Sequence, residues 1–124
     1  MIKYLILFFV FVSCDISKKS TESTLSKDTN ICKLNVSFRS LGAGIDRKTH
    51  KTFLNYIEQF ENEEKVKLPY DKIFWGREGE VDYCFQYNSL SEKQIIKFEQ
   101  QLKEVFVESK SVYTSKETEK RKGR

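Results

Sequence analysis

The chain has 124 residues, of which 39% are apolar and 32% charged, with ten Phe and six Tyr. This composition is typical of one small globular domain, and it excludes both a disordered chain and a two-domain enzyme. The formal net charge is +4, but the segment 116–124 holds five bases against two acids, so residues 14–115 are neutral overall. The basic character therefore belongs to the end of the chain, and we expect no nucleic-acid surface on the domain.

The first residues are typical of an export signal. Lys3 supplies a positive charge, and residues 4–12 form an apolar run. As a helix this run would span only about 14 Å, half of a bilayer's hydrocarbon thickness. The pattern therefore predicts a signal peptide over residues 1–13 and disfavours a membrane-spanning helix.

A cysteine directly follows a small residue at the end of this run, in Phe11-Val12-Ser13-Cys14. The arrangement resembles the lipobox of bacterial lipoproteins, in the looser form of Bacteroidetes lipoproteins. The resemblance implies that Cys14 carries fatty acids such as palmitate, becomes the mature N-terminus and anchors the protein in the inner or outer membrane of the cell envelope. An ordinary secretory signal with an incidental cysteine is the alternative.

Residues 15–30 are rich in Ser, Thr, Lys, Asp and Glu, and contain only two apolar residues, Ile16 and Leu25. Such a composition is typical of a disordered tether, which at this length spans about 20 to 24 Å on average. Together with Cys14 this segment is predicted to hold the domain clear of the lipid surface.

In the first half of the predicted domain, the spacing of apolar residues changes from every second residue, typical of a strand, to the 3.6-residue period of a helix. The alternation predicts a strand that is buried on one side, with Cys32, Leu34, Val36 and Phe38 inward and Lys33, Asn35, Ser37 and Arg39 outward. Asp46 is placed to cap a helix that begins at Arg47 and ends in the charged segment 61–65. Its buried stripe is predicted to be Phe53, Tyr56, Ile57 and Phe60.

The second half begins with a hairpin. Residues 66–75 form a predicted strand, and Pro69 indicates either that it lies at a sheet edge or that it begins near that residue. The alternation in 81–87 supplies its partner. Ser91 and Gln94 form a capping-box pattern at the start of a second helix. The buried stripe of that helix is predicted to be Ile95, Phe98, Leu102, Val105 and Phe106.

A short last strand is predicted near 109–114. The basic segment 116–124 is predicted to be disordered, with contact to anionic lipid head groups as the alternative. The order β-α-β-β-α, with a possible final β, predicts an α+β fold of the ferredoxin-like kind. In this fold both helices cover one face of an antiparallel sheet, and the single domain would span residues 31–115. Because this fold hosts many unrelated functions, it does not identify one here.

Cys32 and Cys84 remain after Cys14, in a compartment that tolerates disulfides. Their strands would be antiparallel neighbours, and a bridge would close a loop of about 53 residues and contribute about 4 kcal/mol. Against a bridge, Cys32 shares the buried phase of its strand whereas Cys84 alternates with the apolar residues of its own. Two separate thiols are therefore the alternative.

Few residues point to catalysis. Cys84 with His50 as its base would be a thiol nucleophile, but no spacing supports the pair, and one His with two separated Cys matches no metal-ligand pattern. We therefore expect no metal and no cofactor. The hairpin charges Arg77, Glu78, Glu80 and Asp82 offer paired acids for acid-base catalysis or for a cation, but solvated charges of a turn are the favoured interpretation. Because Trp75 lies beside this loop, Trp75, Arg77 and Glu78 are the predicted partner contact.

The sequence thus favours a lipid-anchored envelope protein whose small domain, without enzymatic activity, binds a protein or a surface ligand. A small thiol or acid-base hydrolase of the envelope is one alternative. An inhibitor or immunity-type protein is another.

Overall fold

A computed structural model describes residues 30–124, so the predicted signal peptide, Cys14 and almost all of the predicted tether lie outside the described residues. The elements are β1 Ile31–Phe38, α1 Arg47–Glu64, β2 Tyr70–Phe74, β3 Val81–Phe85, α2 Glu92–Val105 and β4 Val112–Glu119. The strands form one antiparallel sheet in the order β2-β3-β1-β4. Both helices pack on one face of this sheet, which confirms the predicted ferredoxin-like α+β fold.

Helix α1 begins where its cap predicts. The Asp46 carboxylate accepts hydrogen bonds from the Thr49 backbone N–H (3.0 Å) and hydroxyl (2.6 Å), and these bonds lower the pKa of Asp46. The helix ends at Glu64 because Lys65 adopts a left-handed conformation, with φ of 54°. The predicted stripe faces the core: Phe53, Ile57 and Phe60 are buried, and Tyr56 is half-buried.

Strand β2 begins directly after Pro69 and lies at a sheet edge, as predicted. It is shorter than the predicted segment because residues 66–69 are not part of the strand. Leu68 is buried in the core, and its backbone N–H donates to Glu61 Oε1 at 2.7 Å. Strand β3 ends at Phe85, and Tyr87 beyond it has a left-handed φ of 59°.

Helix α2 begins with the predicted capping box. Ser91 Oγ accepts from the Gln94 backbone N–H at 3.2 Å, and Gln94 Oε1 accepts from the Ser91 backbone N–H at 2.9 Å. In the predicted stripe Phe98 and Leu102 are buried, and Ile95, Val105 and Phe106 are half-buried.

The core between helices and sheet is mainly aromatic. The Phe53 ring centroid lies 5.4 Å from that of Phe38 and 5.0 Å from that of Tyr83. The Phe98 centroid likewise lies 5.1 Å from that of Phe60. Edge-to-face and tilted pairs of this kind add about 0.5–1.5 kcal/mol each to the free energy gained by burial alone.

The predictions for the end of the chain are wrong in part. Strand β4 is longer than predicted and continues to Glu119, so residues 116–119 are strand and the domain does not end at 115. It pairs with β1 along its length, from Ile31 opposite Glu119 to Phe38 opposite Val112. Most β4 side chains are exposed, so the strand depends on main-chain pairing with β1. The polar composition of residues 115–119 does not indicate a strand, and for this reason the sequence did not predict its full length.

Cys32 and Cys84 form a disulfide, with their Cα atoms 5.2 Å apart. The predicted phase of Cys32 is wrong, because its side chain does not lie with Leu34 on the helix side. It is buried on the opposite face with Cys84 and Ile73. The alternation of β1 therefore changes phase between Cys32 and Leu34, and this change brings the two cysteines to one face.

Candidate functional site

The face of the sheet opposite the helices, here called the open face, carries a row of polar side chains. Asp82 alternates with Val81 and Tyr83, which belong to the helix-side core, so its side chain lies on the open face. The strand register places Asp82 opposite Ser37 of β1, and Ser37 opposite Tyr113 of β4. Because directly opposed residues share a face, these side chains lie side by side across three strands.

Asp82 is the centre of a hydrogen-bonded cluster. Its Oδ1 accepts from Ser37 Oγ (2.6 Å) and Trp75 Nε1 (2.7 Å). Its Oδ2 accepts from Arg121 Nε (3.0 Å) and Asn35 Nδ2 (3.3 Å). Asp82 is only 1% exposed. A buried carboxylate is costly unless it is paired and hydrogen-bonded, and four donors meet that requirement here.

Two predictions about this cluster are wrong. Asn35 and Ser37 were expected to face solvent, but both are buried. Asp82 was expected to be a solvated charge beside the hairpin turn, but it lies within β3 and is buried. The reason is that Trp75 and Arg121 both contact Asp82 and close over this part of the sheet.

The segment after β4, here called the strap (residues 120–124), crosses the open face towards β2. The Lys120 backbone N–H donates to Asn30 O at 2.5 Å, beside the start of β1. The Arg124 backbone N–H donates to Phe74 O at 3.3 Å, at the end of β2. Main-chain bonds therefore fasten the strap to two separate parts of the sheet.

The prediction of a disordered basic tail over 116–124 is wrong for the strap as well as for β4. Lys120 Nζ lies 2.7 Å from Asp71 Oδ2, and Arg121 Nε lies 3.0 Å from Asp82 Oδ2. Residues 14–115 are neutral overall, but Asp71 and Asp82 lie where the strap brings Lys120 and Arg121. Local attraction of this kind is not visible in a charge count over the whole body.

A groove of about 620 Å³ lies between the strap and β4 on the open face. Its lining includes Asn35, Ser37, Arg39, Tyr113, Arg121 and Lys122. The Arg39 guanidinium lies over the Tyr113 ring, 4.3 Å from its centroid, and that of Arg121 lies over Trp75 at 4.1 Å. Each arginine is thus held against an aromatic face, which limits its motion.

The predicted partner contact separates into two parts. Trp75 lies beside the groove through its contacts with Asp82 and Arg121. Arg77 and Glu78 lie on the exposed hairpin turn, where the Glu78 carboxylate accepts a hydrogen bond from Ser40 Oγ. That bond joins the hairpin turn to the loop between β1 and α1, so the Glu78 side chain helps to hold this loop in place.

The structure does not bring together the residues of the thiol-enzyme interpretation. Cys84 is bonded to Cys32 and is buried on the open face. His50 lies on α1, on the other side of the sheet, where its Nε2 is 2.6 Å from the Tyr83 hydroxyl. Cys84 in this state has no thiol, and His50 cannot act as its base.

Burial favours the uncharged forms of both His50 and Tyr83. Burial, together with the positive charge of Lys72, lowers the pKa of His50 from 6.5. Burial raises the pKa of Tyr83 to about 12. The Tyr83 hydroxyl can therefore donate to a neutral His50 ring, whose centroid also lies 4.8 Å from that of Phe38.

We expect this pair to weaken the fold on acidification. The pKa of His50 is below 6.5 in the folded chain, so the unfolded chain binds the proton more readily. The stabilising contribution of the neutral ring is complete above pH 6.5, and it is lost as the pH falls below that value and through the lower pKa of His50 in the folded chain. Urea unfolding from about pH 7.5 to about pH 5.5 should therefore show a steeper loss for the parent chain than for His50→Gln, which cannot titrate. Equal losses in both proteins would contradict the expectation.

The described residues hold neither a metal site nor a membrane span. Within 30–124, histidine, cysteine and carboxylate side chains do not form groups of three with the proximity that metal ligands need. Neither α1 nor α2 combines the length and apolarity needed to cross a bilayer. Comparison with protein-family models, curated proteins and solved structures found no match to this chain.

Sequence reasoning missed most of this site. Two signals were available: Asp82 is in phase with Cys84 and out of phase with Tyr83, which places it on the open face of β3. Trp75 beside the hairpin turn predicted a contact with a binding partner, whereas the contacts that the structure shows for its side chain are within the chain, to Asp82 and Arg121. Nothing in the local sequence indicated that Arg121 returns to the sheet.

Proposed function

We propose that this chain is an exported, lipid-anchored protein of the bacterial envelope, whose domain is a binding module that uses the groove on the open face. The anchoring half of the proposal depends on the leader and on Cys14, which resemble those of bacterial lipoproteins. Two buried cysteines at bonding distance support it, because structural disulfides persist in oxidising compartments and are rare in the cytosol.

The observation that carries the binding half is the polar cluster beneath the groove. Asp82, Ser37 and Asn35 are buried beside the groove, although an apolar patch of similar size would fill the face at less cost. In this domain the buried network lies beside the groove, and we assign to it the role of holding groove side chains in position. Arg121 is held in this way by Asp82.

The position of His50, the one histidine of the sequence, favours a binding function over hydrolysis. Ser37 Oγ donates to Asp82, which is the beginning of a nucleophile arrangement. The chain has one His, and His50 lies on the helix side of the sheet, so it cannot reach Ser37 as a base. The Ser37–Asp82 contact is therefore assigned to structure and not to catalysis.

The anchor is tested by metabolic labelling of bacteria that produce the full chain, using an alkyne analogue of palmitate. Label should appear in the parent chain and in the Cys32→Ser/Cys84→Ser variant, and should be lost in Cys14→Ser. The double variant is the matched control, because it retains Cys14 and lacks the other two cysteines. An unlabelled parent chain in the membrane fraction, or label that persists in Cys14→Ser, would refute the anchor.

A further inference from the structure

The charges along the groove are predominantly positive. The lining contains four bases, Arg39, Lys120, Arg121 and Lys122, and two acids, Asp82 and Glu119. The Asp82 carboxylate is already occupied by four donors, so it has little capacity left for a ligand's hydrogen-bond donor. Lys120 is likewise paired, with Asp71. The charged groups that remain for a ligand are Arg39, Lys122, the outer edge of Arg121 and the carboxylate of Glu119, so cations still predominate, beside several hydroxyls.

The two groove arginines are oriented before any ligand arrives. Arg121 Nε donates to Asp82, and the guanidinium stacks on Trp75. The Arg121 side chain is still 40% exposed, so both Nη groups can donate to a ligand. Arg39 lies over Tyr113, on the β4 side of the groove. A stacked guanidinium presents its N–H edge beside the ring, which is the geometry that binds an oxyanion with two parallel hydrogen bonds.

We infer that the groove binds a small soluble ligand through a carboxylate or phosphate group held by Arg39 and Arg121, with Lys122 adding charge. The inference rests on the proposed binding function and names the ligand's chemistry. A groove of about 620 Å³ is larger than one phosphate group requires. The ligand therefore extends beyond its anionic group, along a wall that includes Ser115 and Thr118.

The chain contains its own reporter for this inference. Trp75 is the only tryptophan, and its ring lies under the guanidinium of Arg121. Fluorescence of the full chain, purified from membranes in neutral detergent, should change saturably when pyrophosphate or citrate is added at constant ionic strength. Maltotriose serves as the neutral probe, and vesicles with and without phosphatidylglycerol serve as the lipid probe.

Substitutions then separate specific binding from a general charge effect. Arg39→Gln should raise the apparent Kd for the anion on the order of 10-fold, because one charge-assisted contact is lost. Lys122→Gln should raise it by a smaller factor. Lys51→Gln, which removes one charge from an exposed position on α1, should leave it unchanged. Arg39 and Lys122 lie outside the Asp82 cluster, so both variants are expected to fold.

Several results would overturn the inference. If Lys51→Gln and Arg39→Gln had equal effects on the apparent Kd, the fluorescence response would reflect the net charge of the protein and not binding in the groove. A response to maltotriose alone would exclude the anion and leave the binding module in place. A response to anionic vesicles alone would make the ligand a lipid surface. If no probe changed the Trp75 fluorescence, the groove would not be a ligand site. The lipid anchor is tested separately, by the labelling of Cys14.

Discussion

Replacing Asp82 with alanine is expected to lower the free energy of unfolding by about 3–4 kcal/mol. The change removes the acceptor of four hydrogen bonds, from Ser37, Asn35, Trp75 and Arg121. Arg121 can return to water, but the Ser37 and Asn35 donors remain buried and lose a partner. A loss of this size is a large part of the 5–15 kcal/mol typical of a domain.

The measurement is urea unfolding followed by far-ultraviolet circular dichroism, since the Trp75 signal itself changes with the site. Asp71→Ala is the matched control. It removes a carboxylate that pairs with the same strap, through Lys120, at an exposed position, so its cost should be below about 1 kcal/mol. If Asp82→Ala costs no more than Asp71→Ala, the cluster does not stabilise the fold as described.

The same variant should also loosen the strap. Arg121 loses its charged partner, so amide hydrogen exchange in Asp82→Ala should accelerate at Lys120 and Arg124, whose N–H groups bond to Asn30 and Phe74. A double-mutant cycle with Arg121→Gln measures the coupling directly. We expect a coupling energy of about 1 kcal/mol or more, because the carboxylate is buried while the guanidinium is partly exposed.

The parts of the fold that sequence predicted are those with local signals. The capping box of Ser91 and Gln94 and the Asp46 cap each involve residues three positions apart, and both helices begin where these caps predict. The position of Pro69 also predicted an edge strand correctly. Such signals lie within one turn or one strand, so they do not depend on the rest of the chain.

The parts that sequence missed depend on contacts between distant residues. Ser37 and Asp82 are 45 positions apart, and Asp82 and Arg121 are 39 apart. Alternation assigns Asp82 to a face of β3, but it does not show what covers that face. Cys32 illustrates the same limit, because the change of phase in β1 that brings it to Cys84 has no signature in the residues around it.

The second large effect concerns the disulfide between Cys32 and Cys84. Replacing both cysteines with alanine is expected to lower the free energy of unfolding by about 4 kcal/mol, because the bridge joins residues 52 positions apart and restricts the unfolded chain. It also links the start of β1 to β3 at the face that the strap crosses. For a domain of this size the remaining stability would be small.

Burial gives this prediction a kinetic test as well. Cys32 is 1% exposed and Cys84 fully buried, so a reductant reaches the bridge mainly through opening of the domain. Without denaturant, reduction should be slow, and it should accelerate in Asp82→Ala, where the strap is looser. Mass spectrometry should show a gain of two hydrogen atoms only after reduction. An unchanged mass would show that no bridge is present, and the argument from the disulfide to an oxidising envelope compartment would then fail. Equal unfolding free energies with and without the bridge would show instead that the bridge does not stabilise the domain.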